Sequence, residues 1–326
     1  KPIIYVFAND TWVKSLKSIL ADCRENVEVQ ERGLFTMWVL SAISFRYMND
    51  IGRNGGVKEF ASALSTFRGN TGMEETCCGA LEMFLAHENG GFDVPSEIFE
   101  PTVLALINII ATTVGDGSAK IWALRALLNL SQKPARPINT KSMCELIRNS
   151  ASNGQRGIDA ILDIARATSS SSYLVESAIC LISVLSTPQA GSPAFVASEM
   201  LVTEVITIME NRKEPSILEA AYDLLANLLG HPEGVSNSVL SLAWVPQVTT
   251  GIVDSLRSYQ SLVGIQIAGL RVLCTILYDL ARRINVKLDE TIRCIICSMK
   301  ANGPVVEIQS LGCLALAYLC STSEEI

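Results

Sequence analysis

Apolar residues along the chain recur three or four positions apart, the interval that lines one face of an α-helix, and polar turns interrupt them at regular distances. The clearest run is Val57, Phe60, Ala61, Leu64 and Phe67, which follows Gly55-Gly56 and breaks at Arg68-Gly69-Asn70-Thr71-Gly72. A second helix is predicted from residue 73 to 86, closed by Asn89-Gly90-Gly91 as glycines past a helix C-terminus do. The plan then repeats: an apolar helix over residues 103 to 114, bounded by Pro101 and Gly115, and another over 118 to 131, which Pro134 and Pro137 terminate. Further pairs are predicted to begin at residues 158, 200, 244 and 288 and to end at 185, 229, 280 and 320. An extra helix over residues 140 to 149 lengthens the fourth. No stretch alternates with period two long enough to build a sheet.

The later helix of each pair carries one phrase: a polar or aliphatic residue, two variable ones, a small Ala or Gly, then aliphatics. It reads Val29-Gln30-Glu31-Arg32-Gly33, Thr76-Cys77-Cys78-Gly79, Lys120-Ile121-Trp122-Ala123 and Val175-Glu176-Ser177-Ala178. It continues as Leu218-Glu219-Ala220-Ala221, Gln266-Ile267-Ala268-Gly269 and Gln309-Ser310-Leu311-Gly312. The small residues are 46, 44, 55, 43, 48 and 43 positions apart. A period of this length predicts a stacked array in which each unit buries its apolar face on its neighbours. The expected fold is all-α, one array over residues 1–326, with repeats near 10–44, 45–90, 91–132, 138–187, 193–231, 235–281 and 286–322. The small residue marks a close helix–helix approach that a larger side chain would overpack.

Composition narrows the functional class. Apolar residues make up 49% and aromatic ones 6%, which suits thin aliphatic layers between helices and not a disordered chain. The net charge of −7 and pI near 5.1 argue against a nucleic-acid partner and favour a neutral or basic protein surface. No segment reaches the roughly 18 uninterrupted apolar residues of a membrane span. Residues 1 to 7 are too short for a secretory signal. The ten cysteines lie mostly inside apolar helical runs and behave there as small hydrophobes, so a reducing, intracellular setting is expected, cytoplasmic or nuclear. The missing initiator Met, together with the apolar stretch from 311 to 320, suggests a larger protein or a subunit covering an end.

Reactive constellations are sparse, and no enzyme, cofactor or metal site is expected. The two histidines, His87 and His231, fall at helix ends in different repeats, where imidazole complements the helix dipole. Cys294 and Cys297, three apart on a helix, project about 60° from one another. They lack the second ligand pair that a zinc site needs, and packing explains them. Asp159 and Asp163, flanked by Arg156 and Arg166, read as a solvated helix face. Gly52-Arg53-Asn54-Gly55-Gly56 follows no strand and so is no phosphate loop. Arg282, Arg283 and Lys287 are expected to face water.

The run Ala119-Lys120-Ile121-Trp122-Ala123-Leu124-Arg125-Ala126-Leu127-Leu128-Asn129-Leu130-Ser131, with similar segments at 219–229 and 305–319, resembles the third helix of an armadillo repeat. Arg53-Asn54-Gly55-Gly56-Val57 is similar to the turn entering that family's second helix. The resemblance covers nearly the whole chain and implies a right-handed α-solenoid of about seven repeats. It also implies a concave groove for protein partners. Import adaptors and catenins of the family hold an extended peptide with Asn six residues, and Trp two residues, past the small position. Here the Asn rung is kept only at Asn129 and Asn227, the others being Val39, Leu85, Val184, Thr275 and Tyr318. The Trp rung is Phe35, Leu81, Arg125, Cys180, Asp223, Arg271 and Leu314. The expected partner-binding residues are therefore Phe35, Val39, Leu81, Leu85, Arg125, Asn129, Asp223, Asn227 and Arg271, with an apolar start and a more polar middle.

Three functions fit this reading: a non-catalytic scaffold or adaptor, a regulatory or structural armadillo segment of a larger protein or complex, and an importin-alpha-like carrier of nuclear-localisation peptides.

Overall fold

The computed structural model describes residues 11–86, 92–112, 117–132, 143–147, 151–152, 155–167, 170–187, 199–229, 244–280 and 288–323. His87, His231, Arg282, Arg283 and Lys287 lie outside them. Two compact units divide the chain, Lys1–Ile161 and Leu162–Ile326, with the boundary inside the fourth and longest predicted repeat.

The first unit runs α1 (Thr11–Asp22), α2 (Val27–Ile43), α3 (Phe45–Arg53), α4 (Gly56–Thr66), α5 (Thr71–Ala86), α6 (Ser96–Thr112) and α7 (Ser118–Gln132). A helical segment over residues 143–147 (α8) and a two-residue antiparallel pair, β1 (Ala151–Ser152) with β2 (Gln155–Arg156), precede α9 (Gly157–Arg166). The later helices form one row, α2 on α5 and α5 on α7, and α4 packs on α6 in a second row. The second unit repeats this. Its helices are α10 (Ser172–Leu185), α11 (Glu199–Asn211), α12 (Pro215–Leu229), α13 (Val245–Ser258), α14 (Val263–Leu280), α15 (Leu288–Ala301) and α16 (Val306–Ser323). Here α10, α12, α14 and α16 pack in succession, and α13 packs on α15. Successive helices of one row are therefore neighbours in space although more than forty residues of chain separate most of them.

Local chemistry sets the boundaries. Gly55 precedes α4 at φ +80°, and Gly69 leaves α4 at φ +83°, a conformation that side chains with a Cβ rarely adopt. Asn70 Oδ1 accepts the Met73 N–H (2.9 Å) while Glu74 reaches back to the Gly69 N–H (2.8 Å), so two orphan donors at the start of α5 are satisfied reciprocally. The predicted boundary at Pro101 is corrected: α6 starts at Ser96 and contains Pro101. Phe99 and Val103 are buried on either side of it, so tertiary packing retains the turn that loses one backbone bond at the proline.

The recurring phrase has a specific mechanical meaning where it reads Gln-x-x-Gly. Gln30 Nε2 donates to the carbonyls of Leu20 (2.6 Å) and Cys23 (3.1 Å) at the end of α1. Gln266 does the same to Leu256 and Tyr259 (3.0 and 2.9 Å), and Gln309 to Met299 and Asn302 (2.8 and 3.2 Å). The glycine three residues on receives the side chain of that first acceptor. A Cβ on Gly33 would stand 2.6 Å from Leu20 Cδ2, on Gly269 3.2 Å from Leu256 Cδ2, and on Gly312 2.5 Å from Met299 Sδ. One residue of the preceding helix is thus held twice, its orphan carbonyl by Gln and its side chain by the notch over Gly.

Candidate functional site

In the first unit, cross-helix contacts line one face of the α2–α5–α7 row. Glu31 lies against Gly72, and Ser118 Oγ donates to Glu75 Oε1 (2.6 Å). Farther along, the Trp38 and Trp122 rings meet edge-on, 5.1 Å between centroids, with Phe35 6.0 Å from Trp38. They meet over Gly79, where a Cβ would stand 2.6 Å from Trp38 and 3.0 Å from Trp122. Beyond them Arg125 Nε pairs with Glu82 Oε1 (2.9 Å), and Asn129 Nδ2 donates to the Glu82 carbonyl (3.2 Å).

This geometry corrects two of the expected groove residues. Leu81 is 0% and Leu85 3% exposed, so both are core and present nothing to a partner. The α5 residues one position later, Glu82 and Ala86, do reach the surface. The physical reason is that two small residues stand side by side. Ala80, fully buried like Ala123, is the close-approach position, whereas Gly79 matches Trp122 and makes room for the two indoles. Phe35 is 50% exposed and Val39 half-buried, so both remain on the surface of α2. No Trp occupies the expected rung; the aromatic pair comes instead from Trp38 and Trp122, which lie off it. A glycine in the repeat whose neighbour carries Trp was the available signal.

In the second unit, the corresponding face of α10, α12, α14 and α16 is acidic. Ser172 Oγ donates to Glu214 (2.8 Å), and the Glu219 carboxylate lies against Gly264 in the first turn of α14. Arg271 bridges Asp223 (3.5 Å) and Glu307 (2.5 Å), so it joins α12, α14 and α16. Asn227 Nδ2 donates to the Ser183 carbonyl (3.1 Å) and hydroxyl (3.0 Å). Both Asn rungs therefore hold neighbouring helices together through the side-chain amide NH2 group.

Glu176, Cys180, Glu219 and Asp223 face one another between α10 and α12. Burial first, then repulsion from Asp223 and Glu176, pushes the Glu219 carboxyl above its usual range. Burial also raises Asp223, against the opposing pull of Arg271. The Cys180 thiol rises to about 11, through burial and then Glu176, Asp223 and Glu219. A carboxylate raised in the folded state binds more protons there than in the unfolded chain. Stability therefore falls as pH climbs from the unfolded value through the raised folded one. Glu219→Gln is accordingly expected to raise the Tm by about 1–2 °C at pH 7, since the group is largely exposed and screened. The gain should vanish near pH 3.5, below the ordinary Glu value of about 4.3, where the native carboxyl is neutral too. Equal gains at both values would exclude this electrostatic origin.

The remaining candidates have structural placements. The Cys294 thiol is buried and donates to the Val253 carbonyl (3.4 Å), whereas Cys297 is exposed. Burial raises Cys294 to about 11. Arg166 pairs with Asp163 (2.8 Å) and with Glu204. Asn54 of the Gly52–Gly56 turn offers its carbonyl to Lys17 Nζ (2.5 Å), and Lys17 also pairs with Glu59 (3.1 Å). Among the described residues, no group of three or more His, Cys, Asp or Glu stands close enough to hold a metal, and no helix is long and apolar enough to cross a membrane.

No protein-family model matches the chain, and no curated protein sequence does. Solved structures do match. The crystal structure of an engineered protein from the Northeast Structural Genomics Consortium aligns at a TM-score of 0.65 and 15% identity, over 94% of this chain and 68% of that one. A second engineered protein from the same consortium aligns at 0.42 and 15% identity, over 96% of this chain and 98% of that one. A chain from work on a phosphorylation switch controlling the interaction between cadherin and beta-catenin aligns at 0.47 and 15% identity. It is covered to 60%, against 94% of this chain. At such identity the first likeness concerns the fold alone.

Proposed function

We propose that the chain is a non-catalytic protein-binding scaffold, an armadillo-like right-handed solenoid of about seven repeats whose concave groove receives a neutral or basic protein segment. The observation that carries this reading is the acidic row of the second unit. Arg271 pairs with Asp223 and Glu307, and Glu219 with Glu176 adds two more carboxylates beside Asp223, on helices that pack in succession. Carboxylates that repel one another in the free protein gain most when a cation arrives. In the first unit, Phe35 with the edge-on Trp38–Trp122 pair supplies an aromatic patch, and Arg125 with Asn129 lies farther along the same helices.

The test is a titration of a fluorescent Lys- and Arg-rich peptide, followed by anisotropy. Glu219→Lys with Asp223→Lys is expected to weaken binding at least tenfold, the equivalent of about 1.4 kcal/mol, and added salt should weaken it as well. Arg125→Ala with Asn129→Ala is expected to lower affinity for a native partner that spans the first unit. Unchanged affinity in both double variants would remove the groove as the binding surface.

A second reading is favoured by α16, where Val306 is 80% and Leu314 41% exposed, on a face with Cys313 and Cys320. Under it, the chain is a structural or regulatory segment, and a further repeat or subunit lies on that face. Val306→Asp with Leu314→Asp would then abolish co-sedimentation with the assembly while sparing the peptide. A carrier of nuclear-localisation peptides has less support, since only Asn129 and Asn227 keep its Asn ladder.

A further inference from the structure

Within the second unit, a cleft of about 420 Å³ opens among α11, α12 and α13. That is within the size range of small-molecule sites, roughly 300–1,000 Å³. Its floor is apolar and buried: Ile206 and Met209 from α11, Leu218 and Tyr222 from α12, Val248 from α13. The Tyr222 hydroxyl, fully inside, lies 2.7 Å from Ser255 Oγ and donates to the Gly251 carbonyl (3.1 Å), tying α12 to α13. Burial raises that phenol to about 12, so it stays a neutral donor.

Gly251 is the informative residue. It stands in the middle of α13, with no positive φ, and nothing lies within 4 Å of where its Cβ would be. Gly33, Gly79, Gly269 and Gly312 each have a neighbouring side chain filling that space, so packing explains them and does not explain Gly251. A glycine inside a helix costs stability relative to alanine, and neither the turn chemistry nor the core of this unit requires one here. What its bare backbone does provide is room along the cleft wall for another molecule to approach.

The mouth selects by charge. Glu210 and Asp254 line opposite walls, and the one ammonium among the lining residues, Lys213, is turned onto the Met209 carbonyl (2.9 Å). Gln247 bonds Glu210 across the gap, and Asp254 is only 3.9 Å from Arg257, with both side chains more than half exposed. An apolar floor under two carboxylates fits an amphipathic cation.

We propose that this cleft binds a small primary amine carrying an aromatic or short aliphatic body, with the body over Ile206 and Met209 beside Gly251 and the ammonium at Asp254. The site is independent of the peptide-binding row proposed above and survives if that reading fails.

The experiment titrates the whole chain with 2-phenylethylamine, 2-phenylethanol and 3-phenylpropionate, followed by saturation-transfer NMR and calorimetry. Binding is expected in the order amine, alcohol, acid. Asp254→Asn should bring the amine to the affinity of the alcohol and leave the alcohol unchanged. Gly251→Leu should weaken the amine at least tenfold by filling the cleft. Gly251→Ala serves as the folding control and is expected to raise the Tm by roughly 2 °C, because the helix gains propensity and nothing is displaced. Absence of saturable binding by any of the three probes would overturn the proposal. So would amine affinity unaffected by Gly251→Leu, or a Tm lowered by Gly251→Ala, which would make the glycine structural.

Discussion

Replacing Phe84 by Ala is expected to cost about 3–5 kcal/mol, the range for deleting a fully buried aromatic side chain. The ring is inaccessible to solvent and meets Phe60 of α4 (centroids 5.9 Å) and Phe92, ahead of α6, edge-on at 5.5 Å. Phe92 in turn rests on Gly52 of α3, so one side chain on α5 anchors segments from three other parts of the first unit. Its removal leaves a cavity between two rows of helices, and neighbouring rings cannot collapse into it without leaving their own partners. Against a total stability of about 5–15 kcal/mol this is a large fraction. A Tm lower by roughly 10 °C is expected, with the greatest loss of amide protection in α4, α5 and α6. A shift below about 2 °C would mean that the aromatic cluster does not hold these helices together.

The second large effect concerns the repeated glutamine. Gln266 is fully buried, and its amide satisfies two carbonyls at the end of α13. Gln266→Leu keeps the volume but leaves those acceptors without their donor, at about 1–3 kcal/mol for a buried polar group left unsatisfied. Part of the loss is offset, since Gln266 Oε1 is itself buried without a hydrogen-bond partner. Gln309 makes the same two bonds from a half-exposed position, where water can replace the lost donor. Gln309→Leu should therefore cost less than Gln266→Leu. Urea unfolding of the two variants checks the order, and equal costs would show that burial of the carbonyls is not what the glutamine answers.

Helices and turns were legible because their causes are local. A 3.6-residue period, Gly55 and Gly69 at left-handed turns, and the caps at Asn70 and Ser171 all act within a few residues. The recurrence of a small residue also announced where neighbouring helices approach. The stacking offset between repeats is not a local property, since the partners of Arg125, Asn129, Arg271 and Asn227 lie 36 to 48 residues away. That offset alone decides whether Gly79 or Ala80 is the close-approach residue. A one-position error there turned the buried Leu81 and Leu85 into supposed surface rungs and hid Glu82.

By itself, then, the order of residues determined a predominantly helical architecture with a repeated packing phrase, because side-chain periodicity and backbone turns are properties of neighbours in sequence. Tertiary structure alone decided which side chains meet: the indoles over Gly79, the carboxylates around Arg271, the Gln-x-x-Gly grip on the preceding helix, and the open wall at Gly251. These depend on how far one helix slides along the next, and that is settled by the summed packing of whole faces and not by any single residue.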